Sequence, residues 1–175
     1  TLRIFEIGHV LEDLAVNWLR LAGFQLLTQD ANQQQFGFSV CDGRLQGHVD
    51  GVFVGGPAVL SLHYPMLFEC KSMANKHWLR TVQDGVATVY PQYAAQMALY
   101  QAYLADRFPG IAHNPAFFLA VNKNDARLHI ELAPFDGALA QATSDRGVRV
   151  LCATDAQELL PRVSTTPTHP ACKRC

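Results

Sequence analysis

The sequence predicts an α/β domain with a central mixed β-sheet flanked by helices. Three observations carry this expectation. Hydrophobic residues make up 49% of the 175 positions, enough for one domain with a sizeable core and too many for a disordered chain. Apolar side chains recur at helical spacing near the start and again after Pro91, but elsewhere they come in short runs broken by Gly, Pro, Asn and Asp. The order of these signals is helix, antiparallel strands, helix, strands, which suits helices packed on a sheet of mixed direction.

Taken in order, Ile7, Val10, Leu11, Leu14, Trp18, Leu21 and Ala22 have helical spacing over 4–22, and Gly23 is placed to stop that helix. Residues 36–42 and 44–54 read as two strands joined by the turn Asp42-Gly43. The Gly- and Pro-rich stretch 55–64 reads as a loop, and 66–72 (MLFECKS) as a short buried strand. A polar helix or ordered loop fits 74–84. Pro91 opens a helix reaching about 106, at the first turn where its missing N–H costs nothing. The runs 116–122 and 127–133 make a strand pair around Asn122-Lys123-Asn124-Asp125. A last helix is expected over 135–146, with a weaker one near 155–161. The domain is expected to span 1–160, followed by a Pro/Thr-rich tail over 161–175 that ends in Cys172-x-x-Cys175.

Charge and cysteine content narrow the function classes. With 14 basic and 15 acidic residues the chain is no general polycation, although a basic rim around an acidic centre remains compatible with nucleic acid. No apolar run reaches membrane-span length and no signal-peptide pattern opens the chain. Five cysteines without a regular framework suggest free thiols and a cytoplasmic location.

The polar residues that stand out are Asp50 and, nineteen positions later, Glu69-Cys70-Lys71. A carboxylate at the end of an apolar strand is costly to bury unless it is paired or binds a cation. In the run around Glu69, strand alternation puts Phe68 and Cys70 on one face, with Glu69 and Lys71 on the other. Asp50 and Glu69 on adjacent strands can then share Mg²⁺ or Mn²⁺, which take oxygen ligands. Such a cation polarises a phosphate and acidifies a water, and Lys71 orients that water or offsets developing charge. The alternative is that Asp50 ends a turn and that Glu69 and Lys71 are a solvated pair on an edge strand. Glu12, on the first helix four residues after Gly8, either completes the metal shell, holds a second cation, or is an acid favoured by the helix dipole. Gly8 would allow a strand or a nucleic-acid backbone to come close.

Gln96 and Tyr100 share one face of the long helix, with Tyr93 beside them. An amide and a phenol there suit a phosphate, a base edge or a bound water, or else a core whose polar atoms find local partners. Lys76, Trp78 and Arg80 suit a departing DNA strand through phosphate neutralisation and base stacking, or form a solvated helix face. Lys123 sits in a polar turn. His9, His48 and His63 lack zinc-site spacing and read as structural or surface residues.

Together the strings GHVLE (8–12), GHVDGVF (47–53), LFECKS (67–72), YPQYAAQMALY (90–100) and FLAVNKND (118–125) resemble the PD-(D/E)XK nuclease superfamily, most closely its phage exonuclease, lambda-exonuclease and RecB-like branch. The resemblance implies a restriction-endonuclease-like core and Mg²⁺- or Mn²⁺-dependent hydrolysis of DNA, usually from ends, in phage-type recombination or DNA processing within a bacterial or infected cell. It implies metal ligation by Glu12, Asp50, Glu69 and the main-chain carbonyl of Cys70. It gives catalytic roles to Asp50, Glu69, Lys71, Gln96 and Tyr100, and a single-strand annealing or recombination protein as a partner beside DNA. Endonuclease action, or a non-catalytic nucleic-acid-binding module on the same fold, are the alternatives. Some relatives carry an iron–sulfur cluster on one early and three late cysteines. Cys172 and Cys175 supply only two ligands, so that pair reads as cluster or zinc ligands completed elsewhere, as a vestige, or as a disulfide.

Overall fold

A computed structural model describes the chain over residues 2–162, 164 and 166, with side chains from residue 6 onward. Cys172 and Cys175, and most of the expected tail, lie outside the described residues. Helix α1 (Leu2–Leu21) buries Ala15, Val16 and Leu19. Gly23, at φ +93°, ends it in a Schellman arrangement: the N–H of Phe24 donates to Leu19 O (3.1 Å) and that of Gly23 to Arg20 O (3.0 Å).

The expected strand over 44–54 is broken in two, and the break defines the architecture. Strands β2 (Gly37–Val40) and β3 (Leu45–His48) form a separate hairpin around a tight turn in which Cys41, Asp42 and Gly43 all have positive φ. The chain then passes through Val49 and Asp50 into β4 (Gly51–Gly55), a strand of the main sheet. There β4 lies between β1 (Gln25–Leu27) and β5 (Met66–Met73). At three residues β1 is too short to show a sequence period. Strand β5 runs parallel to β6 (Ala116–Asn122), and β7 (Leu128–Ala133) closes the far edge antiparallel to β6. The result is a five-stranded mixed sheet in the order β1-β4-β5-β6-β7, in agreement with the expected fold class.

Between β5 and β6 the chain forms α2 (Asn75–Asp84), α3 (Val86–Val89) and α4 (Pro91–Tyr103), with Pro91 at the first turn of α4. Helix α5 (Gly137–Asp155) packs on α4. Its N-terminus is capped by Asp136 Oδ1, which accepts the Leu139 N–H at 2.9 Å. It runs nine residues past the expected end at 146, and the separate helix expected near 155–161 does not form. Among the described residues no helix is long and apolar enough to cross a membrane.

Two apolar layers sandwich the sheet. Met66, Phe68 and Cys70 of β5 pack toward α1 with Phe24, Phe53, Phe117 and Leu119. Leu67 and Met73 pack the other way, with Phe118, Ala120, Trp78 and Met97. All seven residues of β6 are buried, as a central strand covered on both faces requires. Each fully buried Phe contributes about 2–3 kcal/mol to holding these layers together.

Candidate metal centre

The β4–β5 ladder stops at Gly51 opposite Phe68, while β5 continues to Met73 paired only with β6. Beyond Phe68 the β4-facing edge of β5 therefore has no strand partner among the described residues. The side chain of Asp50 fills the first gap: the Cys70 N–H donates to Asp50 Oδ2 at 2.7 Å. The N–H and C=O of one strand residue leave on the same edge, so the Cys70 carbonyl opens toward Asp50 as well. The Cys70 thiol points into the α1-side core, where burial pushes its pKa up and leaves it inert.

Glu69 and Lys71 lie on the opposite face of β5, as strand alternation requires. The Glu69 side chain is 0% exposed. Neither of its oxygens accepts a well-formed hydrogen bond among the described residues; Oε1 is in close ionic contact with Lys71 Nζ. The same ammonium is 3.8 Å from Asp50 Oδ2 and stands over the Tyr93 ring at 5.5 Å. From α1, Glu12 separates two adjoining clefts. One, of about 410 Å³, contains Asp50, Asn17, Arg20 and Gln35; the other, of about 380 Å³, contains His9, Lys71, Ser72 and Lys123.

Three carboxylates thus converge on one ammonium, and the electrostatics follow. Burial, reinforced by Asp50, raises the Glu69 pKa to about 7. Burial and then Asp50 raise Glu12 to about 6. Burial also raises Asp50, against the pull of Lys71 and of the Cys70 N–H. For Lys71 burial opposes the charged form, but Glu69 and Asp50 outweigh it and hold the ammonium protonated.

Gln96 and Tyr100 come together on α4, where Gln96 Nε2 donates to Tyr100 OH at 3.1 Å. Burial raises the Tyr100 pKa, and the charges of Glu69, Lys71 and Asp50 act on it too, so this pair borders the acidic centre. The structure therefore assembles Glu12, Asp50, Glu69, Lys71, the Cys70 backbone, Gln96 and Tyr100. Lys76 and Arg80 are exposed on α2. Trp78 is a correction: it is 7% exposed, its Nε1–H donates to Ala120 O at 3.1 Å, and its ring belongs to the core. It offers no face to a base. For Gly8 the approach of a strand is also corrected: a Cβ there would sit 3.9 Å from Ser72 Oγ of β5, an ordinary contact that does not require glycine.

Sequence reasoning passed over Gly47, and gave His9 and Lys123 no role at the centre. A Cβ on Gly47 would lie 2.6 Å from the Tyr100 ring, so only glycine lets β3 hold Tyr100 in place. An isolated glycine inside a strand was the available signal. His9 and Lys123 both line the cleft beside Lys71, but nothing in their local sequence marks them.

As positioned, no three or more Asp, Glu, His or Cys side chains among the described residues form a ready cation cage. Lys71 provides the counter-charge between Asp50 and Glu69 instead. The donor set still fits a hard divalent cation. Once ionised, the three acids outnumber the one ammonium among them, and Glu69 Oε2 is buried with no hydrogen-bond partner among the described residues. No protein-family model matches the chain, and no curated protein is significantly similar to it.

Proposed function

We infer that this chain is a divalent-metal-dependent phosphodiester hydrolase acting on DNA, a nuclease with the PD-(D/E)XK arrangement of site residues. The observation that carries the reading is Glu69. A fully buried carboxylate whose ion-pair partner among the described residues is an ammonium it shares with a second, largely buried acid is costly to hold, and a purely structural strand has no reason to bear that cost. Asp50, Glu69, the Cys70 carbonyl and Glu12 would hold Mg²⁺ or Mn²⁺. When bound, the cation supplies Lewis-acid polarisation of a phosphoryl oxygen and a more acidic water.

The chain's own residues supply the rest. Lys71 is kept charged by Glu69 and Asp50 and offsets negative charge building on the phosphoryl oxygens. Asp50 fixes the β5 edge through the Cys70 N–H and so sets where the Cys70 carbonyl points. The Gln96–Tyr100 pair orients substrate or water from the α4 side. Lys123 beside the site, with exposed Lys76 and Arg80 on α2, provides phosphate contacts for a DNA strand. Attack from DNA ends, a role in phage-type recombination, and an annealing or recombination protein as partner follow from the likeness of the site strings.

The test is cleavage of matched linear and circular duplexes with Mn²⁺. The exonuclease reading expects degradation of the linear DNA alone, lost in both Asp50→Ala and Lys71→Ala. Cleavage of the circle identifies an endonuclease. Activity at the wild-type rate in both variants contradicts the assignment.

A further inference from the structure

Strand β7 is an edge strand, and its apolar side is uncovered. Among the described residues it pairs only with β6, while Leu128, Ile130 and Leu132 are 44, 50 and 42% exposed. They lie on the α1 face of the sheet, opposite the buried Val121, Leu119 and Phe117 of β6. Helix α1 extends this surface. Its Glu12, Val16 and Arg20 flank lines the cleft toward β1 and Asp50. By helical geometry Ile7 and Leu14 lie on the other flank, toward β7, and are 52 and 39% exposed. A long apolar edge of this kind is a template for strand addition.

We propose that the occupant is a second copy of this chain, joined by antiparallel pairing of β7 with β7 about a two-fold axis at Ile130. The strand is self-complementary in that register. Leu128 then faces Leu132 of the second copy, Ile130 faces Ile130, and His129 faces Glu131. A one-residue shift of the axis either way puts His129 against His129 or Glu131 against Glu131. The backbone agrees. Asn122 N donates to Arg127 O at 2.8 Å, which assigns the odd-numbered residues of β7 to bonds with β6. Leu128, Ile130 and Leu132 therefore turn their N–H and C=O groups outward, and these three oppose one another across the axis as hydrogen-bonded pairs. The pairing merges two sheets into one ten-stranded sheet. It sets the apolar rows side by side between the two α1 helices, an isologous interface in which each contact occurs twice.

The test is the solution mass of the full chain across a concentration series, by light scattering and sedimentation. The expected result is a dimer that Ile130→Lys converts to a monomer with an unchanged circular dichroism spectrum and melting temperature. His129→Glu, which sets like charges opposite each other twice, is expected to weaken the dimer about tenfold or more. A monomeric wild type at every concentration overturns the proposal and leaves the face to the chain's own residues beyond 162 or to another protein. A dimer that survives Ile130→Lys overturns it as well, and an unaffected His129→Glu dimer overturns the register.

Discussion

Two buried polar clusters sit at neighbouring places on the same sheet, and they are built on opposite terms. At the end of β6, Asn122 is fully buried and uses both ends of its amide: Nδ2 donates to Asn75 Oδ1 at 2.9 Å, and Oδ1 accepts the Asn124 N–H at 3.0 Å. Asn124 Oδ1 in turn accepts the Asn75 N–H at 2.9 Å, and Arg127 reaches Asn75 Oδ1 at 3.2 Å. This network ties the β6–β7 turn to the start of α2 with its hydrogen-bonding capacity matched, as buried polar groups in a scaffold require. On β5, Glu69 is just as buried, yet among the described residues its oxygens have only the ammonium they share with Asp50. Satisfaction marks the structural cluster; on the proposed function, its lack marks the metal-binding one.

The sharpest contrast is in activity. Asp50→Ala or Lys71→Ala is expected to lower Mn²⁺-dependent cleavage by about 10³-fold or more while the protein stays folded. A cleavage assay paired with circular dichroism checks this. Glu69→Gln is expected to lose activity to a similar degree without loss of stability at pH 8 in the absence of metal, since it removes a buried charge that folding disfavours. A large drop in its melting temperature would place Glu69 with the structural cluster.

Asn122→Ala should do the reverse. Removing one member of a satisfied network leaves its partners orphaned, at about 2–3 kcal/mol and a melting temperature lower by roughly 5–10 °C. Cleavage per folded molecule at low temperature should be unchanged. A thermal melt and an active-fraction assay on the same preparation separate the two effects.

The pH dependence sharpens the comparison further. Glu69 titrates at about 7 and Glu12 at about 6 in the fold, against 4.5 ordinarily. Between about 4.5 and 7 the folded chain therefore holds more protons than the unfolded one. The stability these groups confer is complete below that window and is lost as pH rises through it. Metal-free protein is expected to melt a few degrees lower at pH 8 than at pH 6, and Mn²⁺ to raise the melting temperature more at pH 8. Glu69→Gln should flatten the metal-free difference; differential scanning calorimetry reads it. The smallest effect belongs to the α4 side. Tyr100→Phe removes a single hydrogen bond and should slow cleavage by less than about tenfold without changing Mn²⁺ affinity in a titration.

Much of this was legible in the sequence. The apolar run MLFECKS announced a buried strand, and its alternation placed Glu69 and Lys71 together, as found. Helical spacing put Gln96 and Tyr100 on one face, as found. What the sequence hid was long-range. Residues 44–54 have one continuous strand-like pattern, yet the chain changes sheets at Asp50, because Val49 still bonds back to Phe36 O at 2.9 Å while Gly51 already pairs with Phe68. That change of partner frees the β5 edge for the Asp50 side chain, and no local pattern encodes it. Trp78 misled for the same reason: cations flank it in sequence, but its fate depended on a carbonyl 42 residues away.

On the proposed function, the acids around Lys71 form a cation site rather than a strained ion-pair network. Isothermal titration of the metal-free chain with MnCl₂ tests it most directly. Saturable binding is expected for the wild type, abolished in Asp50→Ala and Glu69→Gln and kept in Asn122→Ala. No saturable heat with the wild type, or equal affinity in the Asp50 and Glu69 variants, would contradict it.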